Sequence, residues 1–138
     1  MKSQIILCSG GARSGKSEFA ERLALATAGR KAYVATGQAF DEEMIDRIKK
    51  HQERRGEIWN NFEVPLHLAK EWQNISQTAD VILIDCLTMF TTNHMMAHGS
   101  IQGQQDANQL EATVLAELES LLAAIKSCEG KTVIFVTN

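Results

Sequence analysis

The eight residues Gly10, Gly11, Ala12, Arg13, Ser14, Gly15, Lys16 and Ser17 constrain this chain more than any others. They fit G-x-x-x-x-G-K-[ST], a turn that binds phosphate through its backbone. The flanks agree with that reading. Ile5-Ile6-Leu7-Cys8 is a short apolar run that reads as a buried strand, and Ser17 to Ala24 has helical spacing and strong helix formers. Glycine lets the backbone curl so that several N–H groups converge on one phosphate, and the helix N-terminus adds its positive dipole end. In such a turn Lys16 reaches the β- and γ-phosphates and the Ser17 hydroxyl ligates Mg²⁺. A nucleotide site with Mg²⁺ follows.

The rest of the chain alternates strand-like and helix-like segments. Apolar runs fall at 4–8, 32–36, 81–85 and 131–137. Helical patterns fall at 16–28, 41–55, 66–75, 87–98 and 107–127, with 100–106 polar and loop-like. This alternation predicts an α/β fold with a mainly parallel sheet flanked by helices. The 138 residues fit one domain over 1–138. No apolar run is long enough to span a bilayer. A net charge of −3 argues against nucleic acid and anionic membranes as partners. Cys8, Cys86 and Cys128 are odd in number and lack C-x-x-C spacing. With a first strand that follows Met1-Lys2 directly, they point to a reducing, cytoplasmic setting.

Ligands of such sheets bind at the carboxyl ends of the strands. Here those ends carry the glycine turn, Thr36-Gly37, Asp85 and Asn138. Asp85 closes an apolar strand, the pattern of a carboxylate that holds Mg²⁺ directly or through water; the plainer alternative is a helix N-cap. His51 lies in a helix among Lys49, Lys50, Arg54 and Arg55. A lone histidine there is ordinarily a solvated face residue. Clustered cations, however, favour a neutral, nucleophilic imidazole and attract phosphate. His94 and His98 have zinc-ligand spacing but no third ligand, and read as ordinary helix residues. Trp59 and Trp72 read as packing residues. Glu63 follows the His51 helix closely enough to return to the same site.

Several strings then occur in one order. They are Gly10 to Ser17, Tyr33-x-Ala35-Thr36, and Arg47-Ile48-x-x-His51-x-x-x-Arg55-x-x-x-Trp59-x-x-x-Glu63. Ile84-Asp85-Cys86-Leu87-Thr88, Thr92-Asn93 and Val136-Thr137-Asn138 follow. Together they resemble the bifunctional adenosylcobinamide kinase / adenosylcobinamide-phosphate guanylyltransferase family of cobalamin biosynthesis. The resemblance implies a RecA-like P-loop NTPase fold and a homo-oligomer, typically a trimer. It implies phosphorylation of adenosylcobinamide by a nucleoside triphosphate. Transfer of GMP from GTP to that phosphate then passes through a guanylylated histidine, here His51. Residues 10–17 become the phosphate cradle, and Ala35, Thr36 and Gly37 line the nucleotide site. Gln52, Glu53, Arg54, Arg55, Glu63 and Asp85 contact the guanylyl group or its metal. Gly37 stands where the family usually has a small polar residue. The family also continues past the Val-Thr-Asn strand with a further helix and strand, so an exposed sheet edge is expected here. A monofunctional small-molecule P-loop kinase, which needs no role for His51, and an inactive nucleotide-binding fragment are the alternatives.

Overall fold

The computed structural model describes residues 1–11, 13–38 and 41–138. Ala12, a member of the predicted phosphate cradle, lies outside the described residues. Among the described residues there are five strands: β1 (Gln4–Ser9), β2 (Lys31–Ala35), β3 (Trp59–Glu63), β4 (Val81–Asp85) and β5 (Thr132–Thr137). They form one sheet in the order β1-β5-β4-β2-β3, with every neighbouring pair parallel. The helices are α1 (Lys16–Ala26), α2 (Glu42–Arg55), α3 (Leu68–Thr78), α4 (Leu87–His98) and α5 (Gln104–Ser127). This is the α/β architecture the alternating pattern predicts.

Strand alternation divides the core between two faces. Ile82, Ile84, Val133 and Phe135 point to one face, with Leu68, Trp72, Ile75, Phe90, Leu121 and Ile125 from α3, α4 and α5. Val81, Leu83, Ile134 and Val136 point to the other, against Ala20 and Ala24 of α1. Each fully buried large aliphatic side chain contributes roughly 1.5–3 kcal/mol. Ala20 and Ala24 lie one helical turn apart and are fully buried. Their small size lets α1 lie close to the sheet, which holds the glycine turn before it against the strand ends. Trp59 and Trp72 are both buried, as packing residues should be.

β1 forms one edge of the sheet and β3 the other. Ile5 and Leu7 sit in register with Val133 and Phe135, on the face covered by α3 to α5. They nevertheless remain 42% and 61% exposed, because that helix layer stops short of β1.

One strand and several boundaries differ from the sequence pattern; α3, for instance, runs Leu68–Thr78 rather than 66–75. β3 has no apolar run, since only Trp59 of its five residues is buried; its pairing with β2 makes it a strand. α1 ends at Ala26, where the Thr27 hydroxyl bonds back to the Leu23 carbonyl at 2.9 Å. α5 starts at Gln104, inside the expected loop, because Asp106 accepts the Gln102 N–H at 2.9 Å and pins the first turn.

Candidate active site

The glycine turn folds as its sequence requires. Arg13 and Gly15 take left-handed backbone conformations, φ 59° and 83°. Such residues tip successive N–H groups toward one point. A Cβ at position 10 would sit 2.7 Å from the Ser14 hydroxyl, which would have to turn away to admit it. The Lys16 ammonium reaches back across the turn to the Gly11 carbonyl at 3.1 Å. Gly10, Ser14, Gly15 and Lys16 line a cleft of about 600 Å³ beside β1, together with Phe19 and Arg22.

A second cleft, of about 380 Å³, opens on the other side of α1. Ser17, Glu18 and Glu21 of α1, Tyr33, Ala35 and Gly37, Ile48, His51, Arg54 and Arg55 of α2, and Asp85 and Cys86 line it. Sheet register sets its floor. Cys8, Val136, Asp85, Ala35 and Glu63 fall in one row at the carboxyl ends of the strands. The wall is α2. Asp41 caps it by accepting the Met44 N–H at 2.8 Å, and Glu42 and Glu43 complement its dipole. Ile48, His51 and Arg55 recur at the three- and four-residue spacing of one helix face, and all three face the cleft.

Ion pairs and hydrogen bonds anchor the last turn of α2. Arg55 has a nearly buried side chain, 7% exposed, lying 3.9 Å from Glu21. Its guanidinium donates to Asn61 Oδ1 at 3.0 and 3.3 Å and stacks 3.6 Å over the Tyr33 ring. Arg54 meets Glu21 at 3.5 Å. Lys50 pairs with Asp46 at 2.9 Å, so part of the cation cluster around His51 is matched locally.

Asp85 is not the N-cap of α4. That position belongs to Cys86, whose sulfur accepts the Met89 N–H at 3.4 Å. Asp85 instead accepts a 2.5 Å hydrogen bond from the Tyr33 hydroxyl. Burial, and next the Asp85 charge, push the Tyr33 phenol well above its usual range. Ser17 and Asp85 are hard oxygen donors on one cleft. Mg²⁺ is typically bound by one or two such donors plus substrate phosphate oxygens rather than by an all-protein cage. Among the described residues no group of three or more His, Cys, Asp or Glu side chains could enclose an ion. The donor set therefore fits a phosphate-shared Mg²⁺.

Not every predicted residue converges. Lys16 lines the first cleft, and His51 lines the second. Thr36 is fully buried, and its hydroxyl is spent on the Cys86 backbone. Ala35 and Gly37 reach the cleft surface, and Thr36 supports them from below. Glu63 is exposed at the end of β3, and neither it, Gln52 nor Glu53 lines either cleft. His94 stacks on Phe90 and bonds the Leu66 carbonyl, while His98 bonds Asp106 at 2.6 Å, so the two do not form a metal pair. Tyr33, Glu21 and Asn61 were not singled out as site residues in the sequence. Tyr33 alone left a signal there. It precedes Ala35 by two residues on a strand, and therefore shares its face.

A model of the family described as cobinamide kinase / cobinamide phosphate guanyltransferase matches residues 6–138. The chain is 37% identical over 136 residues to the bifunctional adenosylcobalamin biosynthesis protein of Escherichia coli strain K12, covering 97% of this chain and 74% of that protein. It is 38% identical over 129 residues to the like-named protein of Pseudomonas aeruginosa, covering 94% and 68%. For that of Salmonella typhimurium the identity is 37% over 139 residues, covering 97% and 74%.

Proposed function

The chain belongs to the cobinamide kinase / cobinamide phosphate guanyltransferase family, and on that premise we propose that it performs both reactions in cobalamin biosynthesis. The observation that carries this reading is the meeting of Ser17, His51, Arg54, Arg55 and Asp85 in one cleft, with the phosphate cradle on the other side of α1.

In the first reaction the aminopropanol hydroxyl of adenosylcobinamide attacks the γ-phosphorus of GTP or ATP. A new P–O bond forms, the β–γ bridge breaks, the nucleoside diphosphate leaves, and the hydroxyl proton passes to solvent. The backbone from Gly10 to Ser17 and the Lys16 ammonium hold the phosphates. Ser17 and Asp85 would hold Mg²⁺, which would supply neutralisation of the phosphate charge.

In the second reaction a ring nitrogen of His51 attacks the α-phosphorus of GTP. The P–N bond forms and pyrophosphate leaves. A phosphate oxygen of adenosylcobinamide phosphate then attacks the same phosphorus. The P–N bond breaks, its electron pair returns to the imidazole, and the corrinoid carries GDP. Arg54 and Arg55 stabilise the guanylyl phosphate, and Ala35, Gly37, Gln52, Glu53 and Glu63 complete the guanylyl surroundings. The protein works as a homo-oligomer, a trimer in this reading, in the cytoplasm. Among the described residues no helix is long and apolar enough to cross a membrane.

Incubation with GTP labelled at the α-phosphate, in Mg²⁺, tests this function. Acid-labile, alkali-stable label on the protein is expected, as a histidine phosphoramidate requires. Protein that binds GTP and takes up no label would leave only the kinase half standing.

A further inference from the structure

Tyr33 is the only tyrosine in the chain, and the functional reading gives it no role. Its ring is nevertheless the centre of the second cleft's scaffold. The hydroxyl donates to Asp85 Oδ2 at 2.5 Å. The Arg55 guanidinium lies 3.6 Å over the ring centroid. The edge of the ring meets Trp59 at 6.0 Å between centroids, with the planes at 82°. One side chain on β2 therefore touches β4, the start of β3 and the last turn of α2.

We propose that Tyr33 is a positioning residue that fixes the metal-binding carboxylate and the guanylyl-binding arginine relative to each other. The proposal rests on the functional reading above. The phenol satisfies Oδ2 of Asp85, so that Oδ1 stays available to a cation or its water. A carboxylate held at one oxygen cannot turn away from the phosphate side of the cleft. The ring face does the corresponding work for Arg55. A guanidinium that is only 7% exposed needs partners on all sides. It finds Asn61 at its edge, Glu21 at 3.9 Å and the Tyr33 ring below. His51 lies one turn before Arg55 on the same helix face. A shift of Arg55 therefore carries the nucleophile with it. The sheet order makes this arrangement possible, because β2 lies between β4 and β3.

Two substitutions separate the two halves. Tyr33→Phe keeps the ring under Arg55 and removes the hydroxyl. Tyr33→Leu removes both. Outer partners of metal ligands typically control about 10- to 100-fold of metal affinity. Tyr33→Phe should accordingly raise the Mg²⁺ concentration for half-saturation about tenfold. This is read as metal-dependent GTP binding, and by the paramagnetic resonance signal of Mn²⁺ used in place of Mg²⁺. Tyr33→Leu should show the same metal shift and a further loss of GTP affinity, about 3- to 30-fold on the scale of a desolvated cation–π contact. A nucleotide-independent measurement runs alongside. Thermal unfolding of Tyr33→Phe, Asp85→Ala and the double variant should give a double loss smaller than the sum of the single losses. Unchanged metal dependence in Tyr33→Phe, or strictly additive losses in that cycle, overturns the proposal. A parent protein with no metal-dependent GTP binding would overturn the functional reading instead, and the thermal cycle would then decide the Tyr33–Asp85 link by itself.

Discussion

The Thr36 hydroxyl closes a two-way hydrogen bond with the backbone of Cys86, donating to its carbonyl at 2.6 Å and accepting from its N–H at 2.8 Å. Thr36 follows β2 and Cys86 follows β4, so this one side chain ties together the ends that carry Ala35 and Asp85. Asn93 supports the tie from below. Its amide donates to the Thr36 carbonyl at 2.6 Å and to the Pro65 carbonyl at 3.1 Å.

Thr36→Val keeps the shape and removes both bonds, leaving the Cys86 N–H without its partner and the Cys86 carbonyl with the Phe90 N–H alone. The cost should be about 1–3 kcal/mol of stability. The midpoint of denaturant unfolding should fall by the corresponding amount. A midpoint equal to the parent's would mean that water replaces the hydroxyl at no cost.

Lys16→Ala should lose triphosphate binding while keeping the fold. Lys16 bonds the Gly11 carbonyl across the turn, and that bond is exposed, so little stability depends on it. A charge-assisted bond to phosphate contributes about 2–3 kcal/mol, roughly 30- to 140-fold in Kd. Equilibrium binding of GTP and ATP checks this. Retained affinity would remove Lys16 from the phosphate site.

Asp85→Asn should weaken metal dependence more than folding. The asparagine carbonyl can still accept the Tyr33 hydroxyl, so the local scaffold is kept. The lost negative charge should raise half-saturating Mg²⁺ by about tenfold or more. Overlapping metal titrations for variant and parent would make Asp85 purely structural.

Acid should destabilise the protein through Asp80. Its carboxylate accepts from the Arg30 side chain at 3.1 and 3.2 Å and from the Arg30 N–H at 2.9 Å. The Arg30 guanidinium bond first, then the Arg30 backbone bond, hold this carboxyl well below the usual carboxylate range. The folded state thus binds the proton less readily than the unfolded state. The stabilisation is complete above the ordinary aspartate pKa of about 4 and drains away as pH falls below it. The carboxylate is 36% exposed, so salt should screen part of the effect. In Asp80→Asn, unfolding midpoints should depend less on pH between about 4 and 2. An equally steep dependence would place the acid sensitivity elsewhere.

The phosphate turn was legible because its chemistry lies in consecutive residues. The strands β1, β2, β4 and β5 were legible because each carries a continuous apolar run. β3 was not, since Asn60, Asn61 and Glu63 carry no burial pattern and the strand exists only through its pairing with β2. The arrangement of Tyr33, Arg55, Glu21 and Asn61 was hidden for a related reason. Its members come from β2, α2, α1 and β3, and only the sheet order brings them together. The sequence left open whether Asp85 capped the next helix; the structure assigns the cap to Cys86.

The central claim is that His51 forms the covalent bond to GMP. It lines the second cleft with Ser17, Arg54, Arg55 and Asp85, whereas His94 and His98 are engaged with Leu66 and Asp106. The most direct measurement is peptide mapping by mass spectrometry after treatment with GTP and Mg²⁺, on the parent and on His51→Ala. A GMP adduct on the peptide that contains His51, absent from the folded His51→Ala protein, is the predicted result. A GMP adduct on Lys49 or Lys50, or one that persists in His51→Ala, would contradict it.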